Sequence, residues 1–558
     1  MTRHIRNILF IMYDQLRFDY LNCAGHPHLH TPNMDWLAEN GVRFSRCYVQ
    51  SPVCGASRMS YYTGRYVHSH GAAWNGFPLK VGEMTLGDHL RPLGMDCWLV
   101  GKTHMRADSE GMARLGLAPD SVIGARVAEC GFDLWLRDDG LWGQGPDGFY
   151  DTRRSPYNAY LRARGYEAEN PWANNANAGV DDDGNIATGW LMKNAGRPAN
   201  IREEDSETPW LTSRAIDFLD GKDGGAPWLC HLSYIKPHWP YIAPAPYHAM
   251  YGRDQVVPAL RAASERDAPH PVYRAFMDSA ASRAFRRDEV REAVIPAYMG
   301  LVRQCDDQLG RLLGHMRRSG RLDDTLIVLT SDHGDYLGDH WLGEKDLFHD
   351  PSARVPLIIY DPSAAADAAR GTVCDEPVEA IDVAATFVEA AGGRVPGHIL
   401  EGRSLLAFAR GAEPAGGRGF AVSEYDYSAT PMAARLGLAP RDARLFMIAD
   451  RRWKFVHAEG GFRPMLFDLK NDPEEFHDLG AGDGHSGILS MMYDRLAEWA
   501  RRPSQRTTRS DEAIVAARGG SDRRGVLIGR FDEAAVDAEL LSKYAGSAGK
   551  RYTGPRAD

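Results

Sequence analysis

Five short apolar runs, at residues 7–13, 97–100, 228–234, 326–330 and 355–360, punctuate this sequence, with helix-patterned stretches between them. Apolar residues at consecutive rather than alternate positions suit strands covered on both faces, and strands interleaved with helices form largely parallel sheets. Four of the runs lead into polar groups: Asp14-Gln15, Lys102-Thr103-His104, Lys236-Pro237-His238 and Asp332-His333. Ligands of open α/β sheets bind beyond the carboxyl ends of the strands, so these side chains, distant in sequence, are placed to converge. A single Asp after a strand is an ordinary turn or cap residue; four coincidences point to a site.

Tyr298, Leu301, Val302, Cys305, Leu309, Leu312, Leu313 and Met316 keep a 3.6-residue period and predict an amphipathic helix that stops at Ser319-Gly320, with Asp306-Asp307 on its polar face. Residues 138–210 are rich in Gly, Asn, Asp and Pro with little periodicity, as expected of a functional loop or lid; Trp142, Trp172 and Trp190 within it could pack in the core or line a pocket. Beyond a Gly/Pro/Ala-rich stretch at 409–419, runs at 445–448, 454–457 and 464–468 predict a small antiparallel sheet, followed by a helix from about 488 to 501. The remaining residues are polar except for Val526-Leu527-Ile528, an apolar island expected to pack on another subunit.

Hydrophobic residues make up 44% and charged residues 25% of the 558 residues, which supports a sizeable core and excludes a disordered chain. A net charge of −10 argues against nucleic-acid binding, which wants a basic face. No apolar run approaches the roughly 18 residues that cross a bilayer, so no membrane partner is expected. The eight cysteines are scattered without a CxxC pair, and no secretory apolar region precedes the first run; a cytoplasmic protein with reduced thiols is expected.

The sharpest segment is Ser51-Pro52-Val53-Cys54-Gly55-Ala56-Ser57-Arg58. Residues 59–63 continue a helix that Gly64 stops, which puts Cys54 at its N-terminus, where backbone N–H groups favour negative charge. Arg58 lies one turn on along the same face. A nucleophile beside a fixed cation suits attack on an anionic ester.

With Asp14-Gln15 after the first strand and Ser331-Asp332-His333-Gly334 after the fourth, the Cys-x-(Pro/Ala)-Ser-Arg segment resembles the sulfatases and phosphonate monoester hydrolases of the alkaline phosphatase superfamily. Gly101-Lys102-Thr103-His104, Lys236-Pro237-His238-Trp239-Pro240 and the run from Leu466 to Glu475 extend the resemblance from residue 7 to about residue 479. It implies an α/β fold: a mostly parallel, alkaline-phosphatase-like sheet sandwiched by helices, with a smaller C-terminal α+β subdomain and an extended tail. The expected boundaries are 1–430 for the catalytic domain, 431–505 for the subdomain and 506–558 for a tail acting as an oligomerisation arm in a homodimer or homotetramer.

In that family the motif cysteine is oxidised by a formylglycine-generating maturation enzyme to Cα-formylglycine, whose hydrated gem-diol is the nucleophile. Position 56 is Ala where the commonest motif has Pro. The resemblance implies that Asp14, Gln15, Asp332 and His333, with an oxygen of modified Cys54, bind one divalent cation. Carboxylates and an amide favour Ca²⁺, and the imidazole pulls toward Mn²⁺. Arg58, Lys102 and Lys345 are expected to clamp nonbridging oxygens of a small anionic ester. His238 and Lys345 are expected to protonate the leaving group, and His104 to take a proton from the second diol hydroxyl and so release the product. Asn75 is expected to contact substrate, and Asp339-His340 to belong either to the active-site loop or to the surface.

A sulfate monoester is the favoured substrate and a phosphonate or phosphate ester the alternative. The second half resembles the phosphonate hydrolases, whereas the Lys102-x-His104 pair resembles sulfatases. A phosphatase using the unmodified Cys54 thiolate would need five residues between Cys and Arg, and here three intervene. A two-metal phosphatase would need a second set of Asp and His ligands, and an inactive scaffold would have lost one of the groups present.

Overall fold

The computed structural model describes residues 4–140, 155–222, 224–412, 418–503, 508–518 and 536–544, together with residues 532, 534 and 554. The chain divides into two units, Met1–Val395 with Leu400–Arg502, and Pro396–Ile399 with Pro503–Asp558. Among the described residues no helix is long and apolar enough to cross a membrane.

Among the described residues, ten strands precede residue 380 in the first unit: β1 (Asn7–Asp14), β2 (Val42–Tyr48), β3 (Asp96–Gly101), β4 (Asp133–Arg137), β5 (Ala178–Val180), β6 (Ile186–Thr188), β7 (Trp228–Pro237), β8 (Thr325–Ser331), β9 (Arg354–Tyr360) and β10 (Thr372–Glu379). All but β5 and β6 form one sheet in the order β10-β2-β9-β8-β1-β7-β3-β4. Strands β8, β1, β7, β3 and β4 run parallel, while β9 is antiparallel to both β8 and β2. All five apolar runs of the sequence are therefore strands of this sheet, with the fifth reversed.

Strand β1 is buried along its whole length, and its side chains divide by alternation. Leu9, Ile11 and Tyr13 join a core with Val294, Tyr298, Val302 and Leu309, on the helix Asp288–Arg318. Ile8, Phe10 and Met12 join a core on the opposite face with Met59, Tyr61 and Tyr62, on the helix Cys54–Thr63. The predicted period of the long helix holds, and each face of the sheet receives its own helical layer. Asp306 departs from the expected polar face: it is buried and accepts the N–H groups of Asn33 and Met34 at the start of the helix Pro32–Asn40.

The second sheet is antiparallel, in the order β11 (Phe420–Asp426), β12 (Arg444–Asp450), β13 (Trp453–Ala458) and β14 (Met465–Asp468). Three of these strands were expected. β11 begins directly after the Gly/Pro-rich stretch, so the sheet starts N-terminal to residue 431. The helix Ser486–Ala500 covers it through Met492 and Trp499. Within 138–210 the structure contains the helix Pro156–Ala163 and the β5–β6 hairpin. Trp142 and the Val526-Leu527-Ile528 island lie outside the described residues.

Candidate active site

The strand ends converge as their spacing predicts. Asp14 closes β1, and Gln15 turns with φ +67°. Lys102 follows Gly101, whose φ of +112° and near contact with Ser233 exclude a side chain: a Cβ there would stand 2.1 Å from the Ser233 carbonyl oxygen. Cys54 is the first residue of its helix, capped by Val53 in extended conformation. Donor atoms of Asp14, Cys54, Asp332 and His333, all buried, lie within 4.8 Å of one another.

Each of the two carboxylates divides its oxygens between two tasks. Asp14 Oδ2 accepts from Lys102 Nζ at 2.6 Å and from Arg58 Nη2 at 3.0 Å, and Asp332 Oδ2 accepts from Arg58 Nε at 2.8 Å. Their Oδ1 atoms face His333 Nε2, at 3.6 and 3.7 Å. The Nδ1–H of His333 donates to the Gly334 carbonyl at 2.8 Å, which leaves the Nε2 lone pair toward the carboxylates. Gln15 donates from Nε2 to Tyr241 Oη at 3.1 Å and to Asp335, and its Oε1 is buried without a partner among the described residues. Two carboxylate oxygens, an imidazole nitrogen and an orphaned amide oxygen form a donor set that fits one divalent cation.

Arg58 is completely buried, and its remaining Nη1 donors go to the Lys102 carbonyl at 3.1 Å and to Ser233 Oγ at 2.7 Å. The guanidinium therefore clamps the two carboxylates of the candidate metal site. The groups around Cys54 are His333, whose Nε2 lies 3.0 Å from Sγ, with Lys345, Lys102 and His104, and His238 stands behind Lys345. Lys345 Nζ lies 3.3 Å from both Cys54 Sγ and His238 Nε2. The His238 Nδ1–H donates to the Trp239 carbonyl at 2.7 Å, and the His104 side chain lies against Cys54.

Burial and the surrounding charges set the protonation states. Burial alone would raise the Asp14 carboxyl, but Lys102, His238, Arg58 and His333 outweigh it and hold it well below its ordinary range. Burial alone would lower the Lys345 ammonium, but the charges of Cys54, Asp14, Glu344 and Asp346 hold it above its ordinary value. Desolvation pushes His104, His238 and His333 down, so each is neutral near pH 7.

Lys345 rides on a loop under backbone strain. Leu337, His340, Trp341, Glu344 and Asp346 all have positive φ, from 48° to 100°, and a non-glycine residue held there costs about 1–3 kcal/mol. Ties on both sides offset that cost. Asp339 pairs with buried Arg17 at 2.7 Å and accepts the Leu260 N–H at 2.9 Å. His340 Nδ1 meets Glu265 Oε1 at 2.7 Å, and its N–H donates to the Leu260 carbonyl. Trp341 Nε1 donates to the Ala262 carbonyl at 2.8 Å, with the guanidinium groups of Arg261 and Arg266 over its ring. Asp339 and His340 thus belong to the active-site loop as buried anchors. Asn75 Oδ1 accepts the Gly55 N–H at 2.8 Å and so caps the Cys54 helix.

The sulfatase family model matches residues 6–393, which hold every group described above. The chain belongs to the sulfatase family. A second model, the C-terminal region of N-sulphoglucosamine sulphohydrolase, matches residues 338–502, including the antiparallel sheet. This sulfatase-family chain is 31% identical over 533 residues, 91% of its length and 97% of the relative's, to the multifunctional alkaline phosphatase superfamily protein PehA of Trinickia caryophylli. It is 26% identical to an arylsulfatase of Clostridium perfringens, over 85% of this chain and 90% of that one. Its fold matches the phosphonate monoester hydrolase of Silicibacter pomeroyi with a TM-score of 0.78 at 28% identity, covering 90% of this chain and 96% of the other. The protein is a hydrolase of the sulfatase and phosphonate monoester hydrolase group, with the mostly parallel sheet and smaller antiparallel sheet of that fold.

Sequence reasoning did not find Ser233, Tyr241, Asp335 or Glu265. Ser233 carried a signal, since it lies inside a predicted strand facing the Cys54 helix. Tyr241 and Asp335 lie on irregular backbone and Glu265 on a single short 3-10 turn, where no period marks them.

Proposed function

We propose that this protein hydrolyses sulfate monoesters, using a nucleophile at position 54 formed when a maturation enzyme oxidises Cys54 to formylglycine. The observation that carries the reading is the meeting of Cys54 with Asp14, Asp332 and His333 inside 4.8 Å, beneath the Lys345 ammonium. Formylglycine, once hydrated, supplies a hydroxyl nucleophile in place of a thiol. A divalent cation held by Asp14, Gln15, Asp332 and His333 would neutralise substrate charge and acidify that hydroxyl.

The chain's own residues do the rest. Lys102 and Lys345 hold the nonbridging oxygens in a dry site, where fixed charge acts strongly. Neutral His238 accepts a hydrogen bond from Lys345 at 3.3 Å, so this pair holds the proton that the departing alcohol needs. Neutral His104, whose Nδ1 has no partner among the described residues, is the base beside position 54.

A phosphonate monoester is the second reading. It is favoured by the structural match to the Silicibacter enzyme and by the likeness to the multifunctional Trinickia relative. Sulfate and phosphonate esters present similar charged oxygens to the same two lysines, so turnover of both is expected. The test compares kcat/KM for phenyl sulfate and a phenyl phosphonate monoester under identical conditions. The sulfate is expected to be the better substrate, and a phosphonate preference of orders of magnitude would reverse the ranking.

A further inference from the structure

Trp239 follows His238 directly, and the two ring centroids are 4.4 Å apart. Lys345 Nζ stands 6.0 Å over the same indole. Trp190 of the β5–β6 region packs edge-on against Trp239 at 5.3 Å, with Trp172 6.2 Å behind it. Trp172 is buried, its Nε1 donating to Glu207 at 2.9 Å, whereas Trp190 is 41% exposed. Ile186 and Leu191 of the same region are exposed as well.

This exposed indole is firmly mounted. Gly189 sits so close to the Asn177 carbonyl that a Cβ would come within 2.3 Å, and the Trp190 N–H donates to Thr188 Oγ1 at 3.3 Å. The Asn177 side-chain oxygen accepts from Lys236 Nζ at 2.9 Å, and the same ammonium donates to the carbonyls of His238 at 3.3 Å and Pro240 at 3.0 Å. One buried lysine thus staples the hairpin to the turn that carries His238 and Trp239.

We propose that Trp190 and Trp239 form the leaving-group subsite, a fixed aromatic wall that selects esters of aromatic alcohols over short alkyl esters and polyols. The inference rests on the ester-hydrolase reading. With the anionic head at Cys54, the bridging oxygen must face the His238–Lys345 pair to take its proton. The group attached to that oxygen leaves past His238, meeting first Trp239 and then Trp190. An aromatic ring laid there gains dispersion and quadrupole contact and covers exposed apolar surface. A polyol would need hydrogen-bond partners that the exposed Ile186 and Leu191 side chains do not offer.

Two unreactive sulfonates separate the subsite from the anion clamp: benzylsulfonate, which mimics phenyl sulfate but has no scissile ester, and methanesulfonate, which has only the head. Their binding is measured by calorimetry on the full chain. Wild type is expected to bind benzylsulfonate more tightly. Trp190→Ala should weaken benzylsulfonate about 3- to 10-fold and leave methanesulfonate within about twofold, while Trp190→Phe keeps most of the difference. An unchanged thermal midpoint would show that the variants fold. Equal affinity of wild type for both sulfonates, or an equal effect of Trp190→Ala on both, would overturn the subsite even if phenyl sulfate is turned over. If the Trp190-dependent preference holds while neither phenyl sulfate nor a phenyl phosphonate ester is turned over, the hydrolase reading fails and the aromatic subsite stands.

Discussion

Asp14, Arg58, Lys102 and Asp332, the floor of the site, sit on strand ends and on a helix whose every residue is buried, and they pair directly with one another. Lys345, His238 and Trp190, the rim, sit on irregular segments held by Glu265, Arg17 and Lys236. In the floor, the contacts that make the site also hold the sheet and helix together. In the rim, position depends on ties that can be cut without touching the core. Changes to the floor should therefore cost stability and activity together, whereas changes to the rim should cost activity alone.

Asp332→Asn gives the largest effect. It leaves a buried guanidinium short of a counter-charge, and breaking such a pair costs about 3–5 kcal/mol. A fall of about 10³-fold in kcat/KM is expected together with lost divalent-metal content. Urea unfolding, metal analysis and kinetics check the three parts, and an unchanged unfolding midpoint would break the comparison. Dialysis against a chelator should abolish wild-type activity, and Ca²⁺ or Mn²⁺ should restore it.

Lys345→Ala should lower kcat by about 10²- to 10³-fold with little change in the unfolding midpoint, since the loop is anchored through Asp339, His340 and Trp341. A midpoint loss as large as that of Asp332→Asn would make the rim part of the core. Glu265→Gln keeps the size of the side chain but weakens its hold on His340. A loss of about tenfold in kcat is expected, because small displacements of a charged group are costly in a preorganised site. KM and thermal midpoint should stay near wild type, which distinguishes a displaced Lys345 from a damaged fold.

The smallest effect sharpens the floor. His70 lies beneath the Cys54 helix, accepting the Ala72 N–H through Nδ1 and bonded to Ser60 Oγ through Nε2 at 3.0 Å. Burial, with Arg65 and Lys80, pushes it from 6.5 down to about 3. Between those values the unfolded chain binds a proton that the folded chain refuses, so this group's contribution falls by up to about 1.4 kcal/mol for each unit of acidification. From about pH 7 to about pH 5 the urea midpoint of His70→Gln should therefore fall less steeply than that of wild type.

The same division explains what was legible in the sequence. The floor was readable because strand ends in an α/β sheet point to one place: Asp14, Lys102 and Asp332 follow apolar runs, and Cys54 and Arg58 are one turn apart. Even there, spacing locates the Arg58 guanidinium but does not tell that two carboxylates will face it. Lys345 was reached through the family resemblance, because a loop with five positive φ angles at non-glycine residues has no sequence pattern of its own. Glu265 and Lys236 act across folds of the chain that only tertiary packing brings together. Strand β9 was recognised by its apolar run but not by its direction, which the run does not encode.

The proposed reaction depends on the chemical state of position 54, and the mass of the tryptic peptide spanning residues 47–58, taken from active enzyme, reads it directly. The expected peptide has lost one sulfur and two hydrogens and gained one oxygen, the change from cysteine to formylglycine. An intact thiol at position 54 throughout a preparation with full activity would contradict it.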